Sequence, residues 1–203
     1  MLKLYYSPNA CSLASHIALR EAGLPFETIK VDGRAKTAAN GENYWDVTPK
    51  GYVPALRLDD GTVLTEGTAI LPYIADRNPG AGLAPAAGTL ARYRLHEWLG
   101  YINSEVHKGF GPFFSPASTD AVKQAAAENL SKKLNFIQIE LGSKSYLLGE
   151  QFSVVDGYLF TVLGWLRFAG LSIAQWPALQ AYHARIGARP AVLDAMKAEG
   201  LIK

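Results

Sequence analysis

A chain of 203 residues, 49% hydrophobic and with a formal net charge of +2, can bury a real core as one large domain or two small ones. Its charge is spread without a basic run, which gives no sign of a nucleic-acid partner, and no stretch approaches the ~20 apolar residues of a membrane span. Met1 to Tyr5 lacks the layout of a signal peptide and Cys11 is the sole cysteine, so no intramolecular disulfide forms and a cytoplasmic, reducing location is expected.

Leu2 to Tyr6 reads as a buried strand. Ser12 to Ala22 reads as a helix, with Leu13, Ile17 and Leu19 among its apolar positions and Gly23 as its stop. Phe26 to Val31 alternates as a second strand, and strand, helix, strand suggests a parallel unit with a right-handed crossover. Ala55 to Leu58 and Val63 to Thr65 flank Asp59, Asp60 and Gly61, a hairpin signal. A further helix is expected from Gly67 to Asp76, kinked or shortened by Pro72. The sharpest break in composition is Asn78 to Gly88, NPGAGLAPAAG, read as a linker between residues 1–77 and 89–203. Beyond it strand signals vanish. Helices are expected over Thr89 to Lys108, Thr119 to Leu141, Val154 to Phe168 and Pro177 to Arg189, with a short last one after Pro190. The expected fold is an α/β first domain followed by an all-α second domain.

Cys11 lies at the turn from the first strand to the first helix. Unpaired N–H groups and the positive end of a helix dipole there favour a thiolate, although a lone cysteine is equally a small buried hydrophobe. The order βαβ, loop, ββα with a cysteine at the first helix is the layout of the thioredoxin-like fold. Val53 and Pro54 fall where that fold places a cis proline, and the residue before such a proline can pair through its backbone with an extended peptide. Taken alone, Pro54 is an ordinary proline before a strand. Ala14 stands where a C-x-x-C motif has its second thiol, so the site is a monothiol, able to exchange with an external thiol such as glutathione. Glu66 and Gly67 open the third helix: backbone N–H groups there suit a carboxylate and the Glu66 side chain an ammonium, the head group of a γ-glutamyl end. Lys36, with Arg34 and Lys50 behind it, is placed to neutralise a carboxylate at the other end. Ser153 and Asp156 form an S-x-x-D cap at a helix start, a structural pattern that excludes Asp156 from catalysis.

The runs YYSPNACSLASHIALREAGLPFE, TPKGYVPAL, LTEGTAILPYIAD, EWLGYINSEVHKG and YLLGEQFSVVDGYLF, and the terminal EGLIK, resemble bacterial glutathione transferases of the beta class over essentially the whole chain. The resemblance implies a homodimeric enzyme with a thioredoxin-like glutathione-binding domain and a helical domain that shapes the pocket for the electrophile. It assigns Cys11 to the glutathione sulfur, Val53 to backbone pairing with the cysteinyl part, Glu66 and Gly67 to the γ-glutamyl end and Lys36 to the glycyl carboxylate. His107 and Lys108 match residues lining the active site, with His107 taken as catalytic beside Cys11. Two positions depart from the pattern: Gly100 stands where the family often has asparagine, for which Asn103 one turn later is the candidate replacement, and Gly67 stands where many relatives have serine.

The reaction implied is attack of glutathione sulfur on a hydrophobic electrophile, with glutathione as co-substrate and no metal. Ser12 or the Cys11 backbone is expected to help hold the thiolate. Tyr6, Phe113 and Trp165 are assigned to the electrophile pocket, and Phe110, Phe114 and Phe168 mainly to core. Two rivals stand beside this reading: a glutathione-dependent monothiol redox enzyme using Cys11, and a non-catalytic carrier of hydrophobic compounds.

Overall fold

The computed structural model describes every residue from Met1 to Lys203 and divides into two units, Met1–Ala84 with Ala188–Lys203, and Pro85–Gly187.

In the first unit, β1 (Leu2–Tyr6) pairs in parallel with β2 (Phe26–Asp32) after the crossover helix α1 (Ser12–Glu21). Four of the five β1 residues are buried, as befits a central strand covered on both faces. The short β3 (Thr37–Ala38) and the one-turn α2 (Tyr44–Val47) follow. Neither carries enough periodic sequence to be read in advance. β4 (Ala55–Arg57) and β5 (Val63–Thr65) make the expected hairpin, its turn closed by Leu58 N–H to the Thr62 carbonyl at 2.8 Å with Gly61 at φ +89°. β4 runs antiparallel to β1, giving the sheet order β3-β2-β1-β4-β5. The helix α3 (Gly67–Arg77) is not shortened by Pro72. Pro72 falls in the second turn and forfeits a single backbone bond, while buried Ile70, Leu71 and Ile74 hold the helix by packing.

The second unit is helical. It begins with α4 (Leu90–Tyr101), capped by Thr89 Oγ1 accepting the Arg92 N–H at 3.2 Å. The single helix expected through Lys108 is three pieces: α4, a π-helical turn over Ile102–His107 and a 3-10 turn over Lys108–Phe110. The one-turn α5 (Gly111–Phe114), the long α6 (Asp120–Leu141), α7 (Val154–Leu163) and α8 (Pro177–Gly187) complete it. α7 stops at Gly164, short of Phe168, and a separate 3-10 turn spans Leu166–Ala169. Its core includes Leu95, Leu99, Ile102, Val106, Leu130, Leu134, Ile137, Val155, Leu159 and Tyr182.

The final helix, α9 (Pro190–Ala198), packs on α1 within the first unit. The sequence reading assigned everything after the linker to the helical domain, and the tail departs from it because specific polar anchors tie it to α1. Arg189 grips Glu21 through two bonds of 2.6 and 2.8 Å, and Glu199 meets His16 at 3.0 Å with both side chains fully buried.

Candidate active site

Cys11 is the N-cap residue of α1 but holds helical angles (φ −60°, ψ −18°) and does not cap the helix with its side chain. Its Sγ lies 3.3 Å from the Val53 carbonyl, a contact the protonated thiol makes as donor. Its side chain makes no capping bond to the N–H groups of α1, the donors expected from the sequence to support a thiolate. Ser12 is also committed elsewhere. Fully buried, its Oγ accepts the Ser7 N–H and donates to the Ser7 carbonyl, both at 3.2 Å, so its one proton braces the turn. Val53 precedes buried Pro54 through a cis peptide bond.

Lys36, at φ +54°, donates from Nζ to the Gly51 carbonyl at 2.7 Å, and its ammonium lies 5.4 Å from the ring centres of both Trp45 and Tyr52. This pair of cation–π contacts fixes a side chain that would otherwise sweep solvent. The loop that carries it is pinned by Glu42, which accepts from the Tyr5 hydroxyl and from Arg57 Nη1. These bonds, Tyr5's first, hold the Glu42 carboxyl at about 2. Gly51 is required beside Trp45: it has φ +64°, and a Cβ there would come 2.5 Å from the indole.

Glu66 holds φ +72° at the N-cap of α3, its side chain exposed, with Gly67 the first helical residue. Lys50 Nζ bonds Glu66 Oε1 at 2.7 Å. Lys50 is therefore engaged by Glu66, while the next residue, Gly51, holds Lys36 through its carbonyl. Arg34 contributes its backbone N–H to the Asp32 carboxylate at 2.8 Å. Tyr6, expected at the pocket wall, is buried with its ring 6.0 Å from that of His16. Burial and, after it, the charge of Glu199 raise its hydroxyl above the ordinary value. It belongs to the core of the first unit.

In the second unit the π-helical turn brings Asn103 and His107 together on Tyr158 of α7. His107 Nδ1 lies 2.7 Å from the Tyr158 oxygen, and the Tyr158 hydroxyl donates to Asn103 Oδ1 at 3.0 Å. A hydroxyl has one proton to give, so His107 carries its own on Nδ1. Burial, then the neighbouring Lys108 charge, lowers His107 to about 4. The ring is neutral at physiological pH. Asn103, the candidate replacement for a side chain missing at Gly100, is thus engaged through its oxygen inside its own unit, and the Gly100 position is exposed and open. Lys108 is exposed. Sequence reading missed Tyr158, which has no local signal: it reads as one more apolar residue of α7.

Trp165, also expected on the pocket wall, is only 4% exposed. It is the hub of an aromatic cluster, edge-on to His107, Phe110 and Phe114 at 5.0, 5.7 and 5.8 Å. Phe113 is half-buried beside Phe110. The open aromatic surface is instead Phe114 and Phe168, with rings 5.5 Å apart. Asp156 closes the capping box with Ser153 at the start of α7. Its Oδ2 accepts from the Ser153 N–H and O–H at 2.8 Å, and its Oδ1 from the Leu147 N–H at 3.0 Å and the Tyr182 hydroxyl at 2.7 Å.

A thioredoxin-like sheet with one thiol at its first helix, followed by an all-helical unit, is the architecture of a glutathione-dependent transferase. Two family models match: the glutathione S-transferase N-terminal domain over residues 10–77 and its C-terminal domain over residues 101–190. The chain is 45% identical over 200 residues to glutathione S-transferase GstA of Escherichia coli O157:H7, covering 98% of this chain and all of that one. The solved structure of a sphingomonad glutathione S-transferase complexed with glutathione is 52% identical, with a TM-score of 0.95, covering 98% of this chain and 100% of the other. The beta class enzyme of Sphingomonas chungbukensis is 49% identical, also with a TM-score of 0.95, over 98% and 100% of the two chains. The chain belongs to the glutathione S-transferase family, in its bacterial beta class, and has that family's enzymatic activity.

Proposed function

We propose that this transferase conjugates reduced glutathione to hydrophobic electrophiles, with Cys11 beside the glutathione sulfur. The observation that carries the reading is the gathering in one unit of a thiol on the Val53 carbonyl, a clamped cation at Lys36 and an N-cap carboxylate at Glu66. These are the groups an extended tripeptide with a central thiol, an anionic end and an amino-acid head requires. Glutathione bound to the sphingomonad relative is in keeping with it. Val53 pairs with the cysteinyl backbone, Lys36 meets the glycyl carboxylate, and Glu66 with the Gly67 N–H receives the γ-glutamyl head. There the ligand's ammonium competes with Lys50 for Glu66.

His107 enters the reading as a neutral group of the second unit, held on Tyr158. Lys108 supplies a cation, and the half-buried Phe113 with exposed Phe114 and Phe168 supply the apolar surface for the electrophile. The enzyme works as a cytoplasmic homodimer. Supporting this, α4 and α6 carry exposed Leu90, Tyr93, Phe136 and Ile139 and share a concavity of about 400 Å³ lined by Arg94, Glu97, Trp98, Tyr101, Phe136 and Glu140, a mixed apolar and charged surface that a second chain could cover. Light scattering should give twice the 22.0 kDa chain mass, and a monomer at working concentration contradicts the dimer.

The reaction is tested by the rate of glutathione conjugation to an activated aryl halide, comparing the parent with Cys11→Ala. Turnover by the parent, weakened in the variant, supports the reading. Turnover that the variant retains in full removes Cys11 from the sulfur's side. A parent that fails to conjugate but reduces a glutathione mixed disulfide through Cys11 is a redox enzyme.

A further inference from the structure

Residues 7–12 turn the chain from β1 into α1 and deliver Cys11. The turn is built from backbone and short side chains: Ala10 N–H to the Ser7 carbonyl at 3.1 Å, the reciprocal Ser7–Ser12 bonds, and Ser7 Oγ to the Val31 carbonyl at 2.8 Å. Its tip, Asn9, holds φ +61°, a left-handed conformation that asparagine tolerates better than other non-glycine residues and that bonds to its backbone help to fix. One of the groups that fix it comes from the far end of the chain. Glu199, the C-cap residue of α9, accepts the Asn9 N–H on Oε2 at 3.2 Å and meets His16 Nδ1 through Oε1 at 3.0 Å. Arg20 Nε donates to His16 Nε2 at 3.1 Å, so His16 carries its proton on Nδ1 and gives it to the carboxylate. Phe26, edge-on to His16 at 5.6 Å, and Tyr6 wall this group in. A fully buried carboxylate kept this far from water is costly unless its acceptors are used, and one of its two oxygens is used on the turn that carries Cys11.

We infer that Glu199 is a positioning residue: its carboxylate fixes the turn through Asn9 and so aims the Cys11 thiol at the Val53 carbonyl. The inference rests on the reading of Cys11 as the residue beside the glutathione sulfur, but it concerns Cys11 itself and is tested without glutathione. Were Glu199 a general brace for α9, any loss of an α9 anchor would act alike. Arg189→Ala supplies the comparison, since it removes the ion pair to Glu21 at the opposite end of the same helix.

The experiment is alkylation of Cys11 by iodoacetamide at neutral pH in the full chain, followed by mass spectrometry, with thermal midpoints measured alongside. In Glu199→Gln one of the two donors loses its acceptor, the turn loosens and the thiol is released from Val53, so alkylation should quicken about fivefold, the equivalent of one ordinary hydrogen bond. Arg189→Ala should lower the midpoint and leave the rate as in the parent. Should Glu199→Gln fail to fold, Glu199→Asp, a shorter carboxylate that reaches one partner at most, should show a smaller quickening. An unchanged rate in a folded Glu199 variant overturns the inference, as does an equal quickening in Arg189→Ala.

Discussion

Acid should destabilise this protein through His107, and the size of the effect follows from its environment. In the unfolded chain the ring protonates as pH falls through 6.5; in the folded protein burial, with Lys108 beside it, delays protonation to about 4. The folded-state value is depressed, so the contribution is complete above 6.5 and is lost as pH falls toward 4. At ~1.36 kcal/mol per pH unit the full loss is about 3 kcal/mol, and about 2 kcal/mol of it has been lost by about pH 5. His107→Gln cannot protonate. Urea unfolding of parent and variant at about pH 7.5 and about pH 5 isolates the effect, because His183, also lowered by burial, is present in both proteins. The destabilisation caused by the substitution should be about 2 kcal/mol smaller at the lower pH. A penalty equal at both values, to within about 0.5 kcal/mol, refutes the claim that His107 is held neutral by the fold.

Other substitutions probe the remaining supports. Tyr158→Phe strips the partner from both His107 Nδ1 and Asn103 Oδ1 and should cost about 2 kcal/mol in denaturant unfolding, where a loss near zero would show the pair finding other partners. Asp156→Ala leaves the Leu147 N–H, the Ser153 cap and the Tyr182 hydroxyl without their acceptor and should cost about 3 kcal/mol or more, read as a lowered thermal midpoint. Gly51→Ala drives a Cβ into Trp45 and should loosen the Lys36 clamp, raising the glutathione KM with kcat little changed. A fall in kcat alone would place the clamp elsewhere in the mechanism.

Most of the first unit is legible because its signals are local. A run of apolar residues, a helix stop at Gly23 and the Asp59–Gly61 turn each act over a few residues, and the sheet follows from them. Cys11, Val53, Glu66, Gly67 and Lys36 are legible from their places at a strand–helix turn, before a proline, at a helix start and in a loop, whereas His107, Lys108 and Asn103 are legible only through the family resemblance. The pairings are not legible, because Lys50 joins Glu66 and Ser12 joins Ser7 only once the loops close. The π-helical turn over Ile102–His107 has a helical sequence pattern and differs by one residue of register, which periodicity over so short a stretch does not reveal. Trp165 was misplaced for a related reason: a bulky aromatic at a helix end suits core and pocket alike, and the surrounding rings decide. The tail was misassigned because α9 looks like any amphipathic helix. The burial of Glu199 against His16, 183 positions earlier, and the grip of Arg189 on Glu21 tell which unit it joins.

Whether glutathione lies in the first unit with its sulfur at Cys11 is decided by a crystal structure of the protein with glutathione bound. The ligand sulfur should lie within hydrogen-bond reach of Cys11, with the cysteinyl backbone paired with Val53, the glycyl carboxylate on Lys36 and the head group at Glu66 and Gly67. Glutathione bound in another orientation, with its sulfur turned away from Cys11, would contradict this placement.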